Sequence, residues 1–302
     1  MLNLDAAFFE KLSRLRLAMG HKSSMNMTGN RKSIQKGSST EFSDFREYMP
    51  GDDIRRIDWN AYGRLDRLYV KEYMEEKEAV VSILLDTSAS MDYGEKKKGE
   101  LACMLAAALA YLGLNNMDRI FVYDVQRMNA PFHATGGKRV FHRLADWLNK
   151  CTFEGKADIM EAVRKLPQKG PGVTFVISDF LQEAFVGDLQ EAEQERVSQN
   201  VRHLLRFLDY RKQKTVFLHV LAEEELSVTL GGTRNFIDME DETTLRITLD
   251  SSGVRVYEKA LEMFMGNLKK ECARAGATYA VCSTGRDFYQ LIFQDLRTLY
   301  DV

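Results

Sequence analysis

Proline is scarce in this sequence, with 4 residues in 302. Long Pro-rich linkers are thereby excluded, and the length suits one large α/β domain or one domain with a substantial extension. Cysteine is equally scarce, also with 4 residues. Cys103, Cys151, Cys272 and Cys282 form no CxxC pair, and no histidine stands at zinc-ligand spacing from them. They read as reduced, mostly packed thiols of a reducing compartment. An excess of charge of either sign is missing too. Lys and Arg number 42 against 44 Asp and Glu, for a net charge of −2. That balance argues against a global nucleic-acid surface and against an acidic tail.

Long apolar runs are absent. The most apolar segment, LACMLAAALAYLGL at 101–114, is too short to span a bilayer and reads as a core helix. The N-terminus, MLNLDAAFFEKLSRLRLAMG, is not a signal peptide, because Asp5 and Glu10 interrupt it. Phe8, Leu12 and Leu15 share one helical face, which predicts a short amphipathic helix docked on the protein's own core. These features predict a cytoplasmic protein with no stable membrane insertion.

Several catalytic motifs are missing as well. There is no P-loop GxxxxGK[ST], and Gly136-Gly137-Lys138 alone is weak. Ser88 and Ser90 lack the GxSxG elbow of a serine hydrolase. His21, His133, His142, His203 and His219 sit in no motif that marks a base, and His219 alternates within a strand pattern as a packing residue does. His21, Lys22, Arg31, Lys32 and Lys36 form a modest basic loop without interleaved aromatics, so nucleic acid is not an expected partner.

What is present is a regular pattern from residue 79 onward. Apolar β-rich runs recur at 79–85, 119–125, 173–178, 215–221 and 277–283. Helical patterns lie at about 97–114, 138–150, 157–166, 181–207, 256–275 and 286–299. Continuous apolar strands alternating with helices predict an α/β fold: a mostly parallel sheet with helices on both faces. NAPFHA at 129–134 predicts an antiparallel edge strand, and 233–249 an inserted hairpin of FIDME and LRITL with DET at its turn. Residues 1–78 form an N-terminal extension of helix, polar loop and charged segment before the domain at 79–302. The helix over 191–214 sets Leu204, Leu205 and Leu208 within mixed charge and reads as a solvated face. Lys96-Lys97-Lys98 reads as an exposed helix start.

The first strand ends in LLDTSASM, which places Asp86, Ser88 and Ser90 at every second residue. The strand VTFVIS ends with Ser178 and Asp179. In open α/β sheets, ligands bind beyond the carboxyl ends of the strands, and right-handed crossovers bring both ends to one edge. Asp86, Ser88, Ser90 and Asp179 are then an all-oxygen set suited to a hard divalent cation, Mg²⁺ above all, with Mn²⁺ or Ca²⁺ as alternatives. The other reading makes them helix caps. A haloacid-dehalogenase-type phosphatase needs a second acid two residues after the first, where this sequence has Ser88.

Asp86-Thr87-Ser88-Ala89-Ser90 resembles the DxSxS motif of von Willebrand factor A domains, the metal-ion-dependent adhesion site. The resemblance implies that both serines bind the ion and that Asp179 is the later aspartate. It also implies a Thr ligand from another loop. The matching stretch is Gly155-Lys156-Ala157-Asp158-Ile159, and Ala157 stands where that Thr is expected. Alanine cannot ligate, which puts ion occupancy in question and leaves Asp158 or a water as the substitute.

The stretch FREYMPGDDIRRIDWN and its flanks, about residues 37–92, closely resemble the bacterial "domain of unknown function 58" family, with its FREYxPGDDxRxIDW signature. That resemblance implies work beside a MoxR-type AAA+ ATPase, as a metal-binding adaptor in protein-complex assembly. Read physically, Arg46, Asp52, Asp53, Arg55, Asp58 and their neighbours surround Phe45, Tyr48, Ile54, Ile57 and Trp59. They predict a partly buried ion-pair network, serving as a structural clamp or as a docking face for a partner. The expected function is therefore a non-enzymatic, metal-dependent protein-binding adaptor. The alternative is a metal-dependent, phosphoesterase-like hydrolase at the same strand ends.

Overall fold

A computed structural model of the chain describes residues 6–17, 40–75, 79–135, 137–167, 171–186, 191–227, 232–237 and 244–301. The basic loop of His21 to Lys36, Gly136 and the DET turn expected at 241–243 lie outside the described residues. Two units are distinguished, a larger one of residues 1–21 and 79–302 and a smaller one of residues 22–78.

The larger unit starts with helix α1 (Ala6–Leu12) and a short strand β1 (Arg16–Leu17). Phe8 and Leu12 are buried. The Phe8 ring lies 5.4 Å from that of Phe288 and 5.8 Å from that of Phe293. The amphipathic N-terminal helix thus docks on the protein's own core.

The smaller unit holds β2 (Thr40–Glu47), α2 (Trp59–Leu65) and β3 (Tyr69–Glu75). β2 and β3 pair antiparallel, with a register shift between Phe42 and Asp44.

The larger unit then continues through β4 (Val80–Leu85), α3 (Lys98–Asn115), β5 (Arg119–Asp124), β6 (Phe132–Ala134), α4 (Phe141–Leu148) and α5 (Ile159–Lys165). It goes on through β7 (Gly172–Ser178), α6 (Glu191–Tyr210), β8 (Gln213–Leu221), α7 (Glu223–Leu226), β9 (Gly232–Ile237) and β10 (Thr244–Leu249). The last elements are α8 (Ser251–Arg274), β11 (Thr278–Ser283), α9 (Phe288–Gln290) and β12 (Tyr300–Asp301). The six-stranded sheet has the order β11-β8-β7-β4-β5-β6. Every neighbouring pair in it is parallel except β5–β6, which is antiparallel. The edge strand expected within NAPFHA is therefore present.

Strand β4 reads as an unbroken apolar run because both of its faces are dry. Val81, Ile83 and Leu85 enter the core shared with α1 and α3, whereas Leu84 enters the core shared with α5, α6 and α8. Helix α3 lies in that first core, which explains why LACMLAAALAYLGL has no polar face. Gly113 lets it approach the sheet closely, since a Cβ there would strike Ile120 Cδ1 and sit 3.3 Å from Val81 Cγ2.

Several boundaries differ from the sequence reading. Of the helix expected from 181, residues 181–186 are turn, 187–190 lie outside the described residues and α6 is Glu191–Tyr210; Phe180 takes a left-handed φ of 53° just after β7. Helix α6 ends at Tyr210, and Gln213 and Lys214 open β8 instead of extending the helix. Leu204, Leu205 and Leu208 are buried, so that helix is not solvated all round as the mixed charge suggested. The first hairpin strand is described over GTRNFI, which includes Phe236 and Ile237 of the expected FIDME, with Ile237 opposite Thr244; residues 238–240 lie outside the described residues. The helix expected over 286–299 is broken into α9, a π turn and a 3₁₀ turn, which bury Leu291, Ile292 and Leu299.

Leu12→Ala is expected to lower stability by about 2–5 kcal/mol, as for other fully buried leucines. Denaturant unfolding measures this, and a loss under about 1 kcal/mol would mean that α1 is dispensable to the core.

Candidate functional site

The parallel pairing of β4 with β7 runs to Leu85 opposite Ile177. The next amide, that of Asp86, donates to the Ile177 carbonyl at 3.0 Å. Asp86 and Ser178 therefore leave the sheet side by side. Asp86 is fully buried and held from both sides. Its Oδ1 accepts from the Ser88 amide at 2.9 Å and the Ser88 hydroxyl at 2.7 Å. Its Oδ2 accepts from the Ser178 hydroxyl at 2.5 Å and from Gln182 Nε2 at 3.3 Å. The Ser88 and Ser90 Oγ atoms are 3.1 Å apart. Burial, reinforced by the nearby charge of Asp179, pushes the Asp86 carboxyl above its ordinary range.

The loop itself is fixed by its neighbours. Thr87 Oγ1 donates to Asp124 Oδ1 at 2.6 Å. The Ala89 amide donates to the Gly155 carbonyl at 2.9 Å, and the Glu154 amide to the Thr87 carbonyl at 3.0 Å. The stretch 155–159 thus borders the DxSxS turn. Ala157 offers no side-chain oxygen there. Asp158 is exposed, and its Oδ1 caps α5 by accepting from the Glu161 amide at 2.9 Å.

Asp179 has a partner that the sequence did not announce. Lys98 Nζ lies 2.8 Å from Asp179 Oδ2 and 2.8 Å from Glu225 Oε1. The Lys98 and Asp179 side chains are each only 1% exposed. The other Asp179 oxygen, Oδ1, accepts from the Leu181 amide at 3.0 Å. The reading of Lys96-Lys97-Lys98 as an exposed helix start is therefore corrected for Lys98, which is buried where α3 begins. Burial alone would depress its ammonium. The carboxylates of Asp179 and Glu225 outweigh that and hold it above the ordinary lysine value of 10.5.

The donor set suits a hard divalent ion in part. Two ligands at about 2.1 Å on adjacent octahedral positions lie about 3 Å apart, which is the spacing of the Ser88 and Ser90 oxygens. Asp86 adds a carboxylate beside them. Among the described residues, however, no group of three or more His, Cys, Asp or Glu side chains is placed to hold a metal ion. Asp179 is already paired with Lys98.

Lys98, Glu225, Gln182 and Asp124 were not singled out from sequence. Asp124 had a usable signal, since it ends β5 as Asp86 follows β4. Glu225 had a weaker one in the acidic run directly after β8. His219 is buried, with Nδ1 2.7 Å from Tyr279 Oη, and burial lowers it to about 4, as befits a packing residue.

In the smaller unit, the charged signature organises its own turn and helix. Arg46 pairs with Asp52 at 2.9 Å, and Asp52 Oδ2 accepts from the Met49 amide at 2.8 Å across the Pro50-Gly51 turn. Arg55 forks onto Asp53 at 3.1 and 2.9 Å and lowers that carboxyl to about 2. Asp58 caps α2 by accepting from the Asn60 and Ala61 amides at 2.8 and 3.1 Å, and Lys71 Nζ lies 3.2 Å away. The Arg46–Asp52 and Asp58–Lys71 pairs are partly buried, whereas Asp53–Arg55 is open to solvent. Ile57 is buried, but Ile54 and Trp59 are 64% and 62% exposed, so the ion pairs do not enclose a common aromatic core.

A family model described as "Protein of unknown function DUF58" matches residues 44–263. Uncharacterized proteins of Mycobacterium bovis and Mycobacterium tuberculosis are each 28% identical over 187 residues, which is 59% of this chain. The match spans 58% of those curated relatives' own length. The crystal structure of the conserved hypothetical protein BatB from Bacteroides thetaiotaomicron is similar at a TM-score of 0.38 and 15% identity, covering 73% of this chain and 98% of that one. No helix among the described residues is long and apolar enough to cross a membrane.

Two outcomes follow from the geometry. Asp58→Ala is expected to lower the thermal midpoint through the lost cap, while Arg55→Ala, on an 87% exposed side chain, leaves it unchanged. The Lys98 ion pair contributes fully below pH 10.5 and is lost as pH rises through the higher folded-state value. Lys98→Met is therefore expected to cost about 3–5 kcal/mol at neutral pH and to flatten the alkaline limb of the stability profile. Chemical unfolding across pH tests this, and an unaltered alkaline limb would assign it to other groups.

Proposed function

This chain belongs to the DUF58 family of proteins of unknown function, and we propose that it is a non-enzymatic, divalent-ion-dependent protein-binding adaptor on a von Willebrand A-like domain. The observation that carries the reading is the pair of Ser88 and Ser90 oxygens, 3.1 Å apart, beside buried Asp86 at the carboxyl edge of a parallel sheet. Ser88, Ser90 and Asp86 would hold an ion of the Mg²⁺ class, which would supply an electrophilic centre for a carboxylate oxygen of another protein. The chain's own residues orient that site. Ser178 and Gln182 fix Asp86, Asp86 fixes Ser88, and Asp124 fixes the turn through Thr87.

Binding is favoured over hydrolysis because Asp179 is neutralised by the Lys98 ammonium and so is not free to act as a general base, while Asp86 is the carboxylate that would hold the ion. Asp86 accepts from Ser88, Ser178 and Gln182, and Asp179 from Lys98 and the Leu181 amide. A general base needs a carboxylate free to move a proton. The partner class that the family resemblance implies is a MoxR-type AAA+ ATPase or its client, approached through an acidic residue.

Calorimetric titration of Mg²⁺ and Mn²⁺ into the protein is expected to show saturable binding that Asp86→Ala abolishes. Co-purification with the MoxR-type ATPase is expected to be sensitive to chelator and to the same substitution. If Asp86→Ala leaves both unchanged, the reading is wrong.

A further inference from the structure

Both oxygens of Asp179 are engaged, one of them by a cation. Oδ2 is 2.8 Å from the Lys98 ammonium, and Oδ1 is 3.0 Å from the Leu181 amide. Lys98 reaches this position from the first residue of α3, with its whole side chain buried. The same ammonium is 2.8 Å from Glu225 Oε1. Glu225 is itself braced, because its Oε2 accepts from the Ala222 amide at 2.8 Å. Tyr93 covers the ammonium, with its ring centroid 5.7 Å from Nζ.

We propose that Lys98 is a tethered counter-cation that competes with the divalent ion for Asp179 and thereby sets the affinity of the strand-end site. The inference rests on the reading of that site as an ion site. An ammonium and a metal ion both satisfy a buried carboxylate, but the ammonium is joined to the chain and is always present. The ion therefore meets one protein carboxylate that carries no cation, Asp86, whose donors are all neutral, together with the Ser88 and Ser90 hydroxyls. Asp179 becomes a ligand only when Lys98 leans on Glu225 alone, a partner it already touches. An ion held by one carboxylate keeps more of its charge, which strengthens its attraction to an acidic residue of another protein. Lys98 thus makes the ion site weak alone and complete with the partner's carboxylate.

The test is calorimetric titration of Mg²⁺ into wild type, Lys98→Met, Asp179→Asn and the double variant. Lys98→Met is expected to bind at least about tenfold more tightly than wild type, equivalent to about 1.4 kcal/mol. Asp179→Asn is expected to change affinity little in wild type but to erase the whole gain in the Lys98→Met background, a coupling that loss of positive charge alone does not give. Should Lys98→Met not fold, Lys98→Met/Glu225→Gln leaves one carboxylate unpaired instead of two and takes its place. Binding that is unchanged or weaker in the lysine variant overturns the inference while leaving the ion site standing. A gain that survives Asp179→Asn also overturns it. Binding in the lysine variant but not in wild type supports it. Absence of Mg²⁺ binding in every variant overturns the ion site and the inference together.

Discussion

Two carboxylates, Asp86 and Asp179, leave adjacent parallel strands into a water-poor edge of the sheet, and like charges so placed need compensation. The fold meets that need twice. Asp86 is surrounded by hydroxyl, amide and backbone donors from both strand ends. Asp179 receives a whole positive charge from Lys98. The direction of α3, the placement of α7 after β8 and the turn after β7 are all tied to these donors. The Leu181 amide and the left-handed Phe180 belong to the turn. Glu225 fixes the far side of the lysine.

The compensation is unequal, and the inequality has a chemical meaning. Around Asp86, the donors are neutral, and the serine oxygens keep lone pairs for another ligand. Around Asp179, the donor is a cation that excludes a second one. A single strand-end site is therefore divided into a half braced by neutral donors and a half neutralised by a fixed cation. That division carries more information about function than the overall fold does, since folds of this class serve many roles.

Much of the architecture was legible in the chain. Buried parallel strands announce themselves as apolar runs, and β4, β7 and β8 fall where those runs lie. The convergence of Asp86 and Ser178 follows from strand order and handedness. Lys98 was not legible, because a lysine in a KKK run at a helix start carries no periodic signal of burial. Only the third dimension places acids opposite it, from a loop 81 residues away and a short helix 127 residues away in sequence. Leu204, Leu205 and Leu208 were misjudged for a related reason. The charge around them is dense, and an average over the helix hides the one stripe that faces the sheet. The C-terminal segment defeated a periodicity argument because burial of Leu291, Ile292 and Leu299 is achieved by changing the helical pitch.

The contact of Phe8 with Phe288 and Phe293, and the pairing of Arg16 with Asp301, join residues from the two ends of the sequence. In synthesis the N-terminal side comes first: Phe9 of α1 meets Tyr111 and Phe141 at 4.7 and 5.0 Å, whereas Phe8 meets Phe288 and Phe293 only after those residues have been made. Until then Phe8 is without its native aromatic cover. Completion of that contact is then a late, long-range event of folding, and the interval before it is when a chaperone has something to hold.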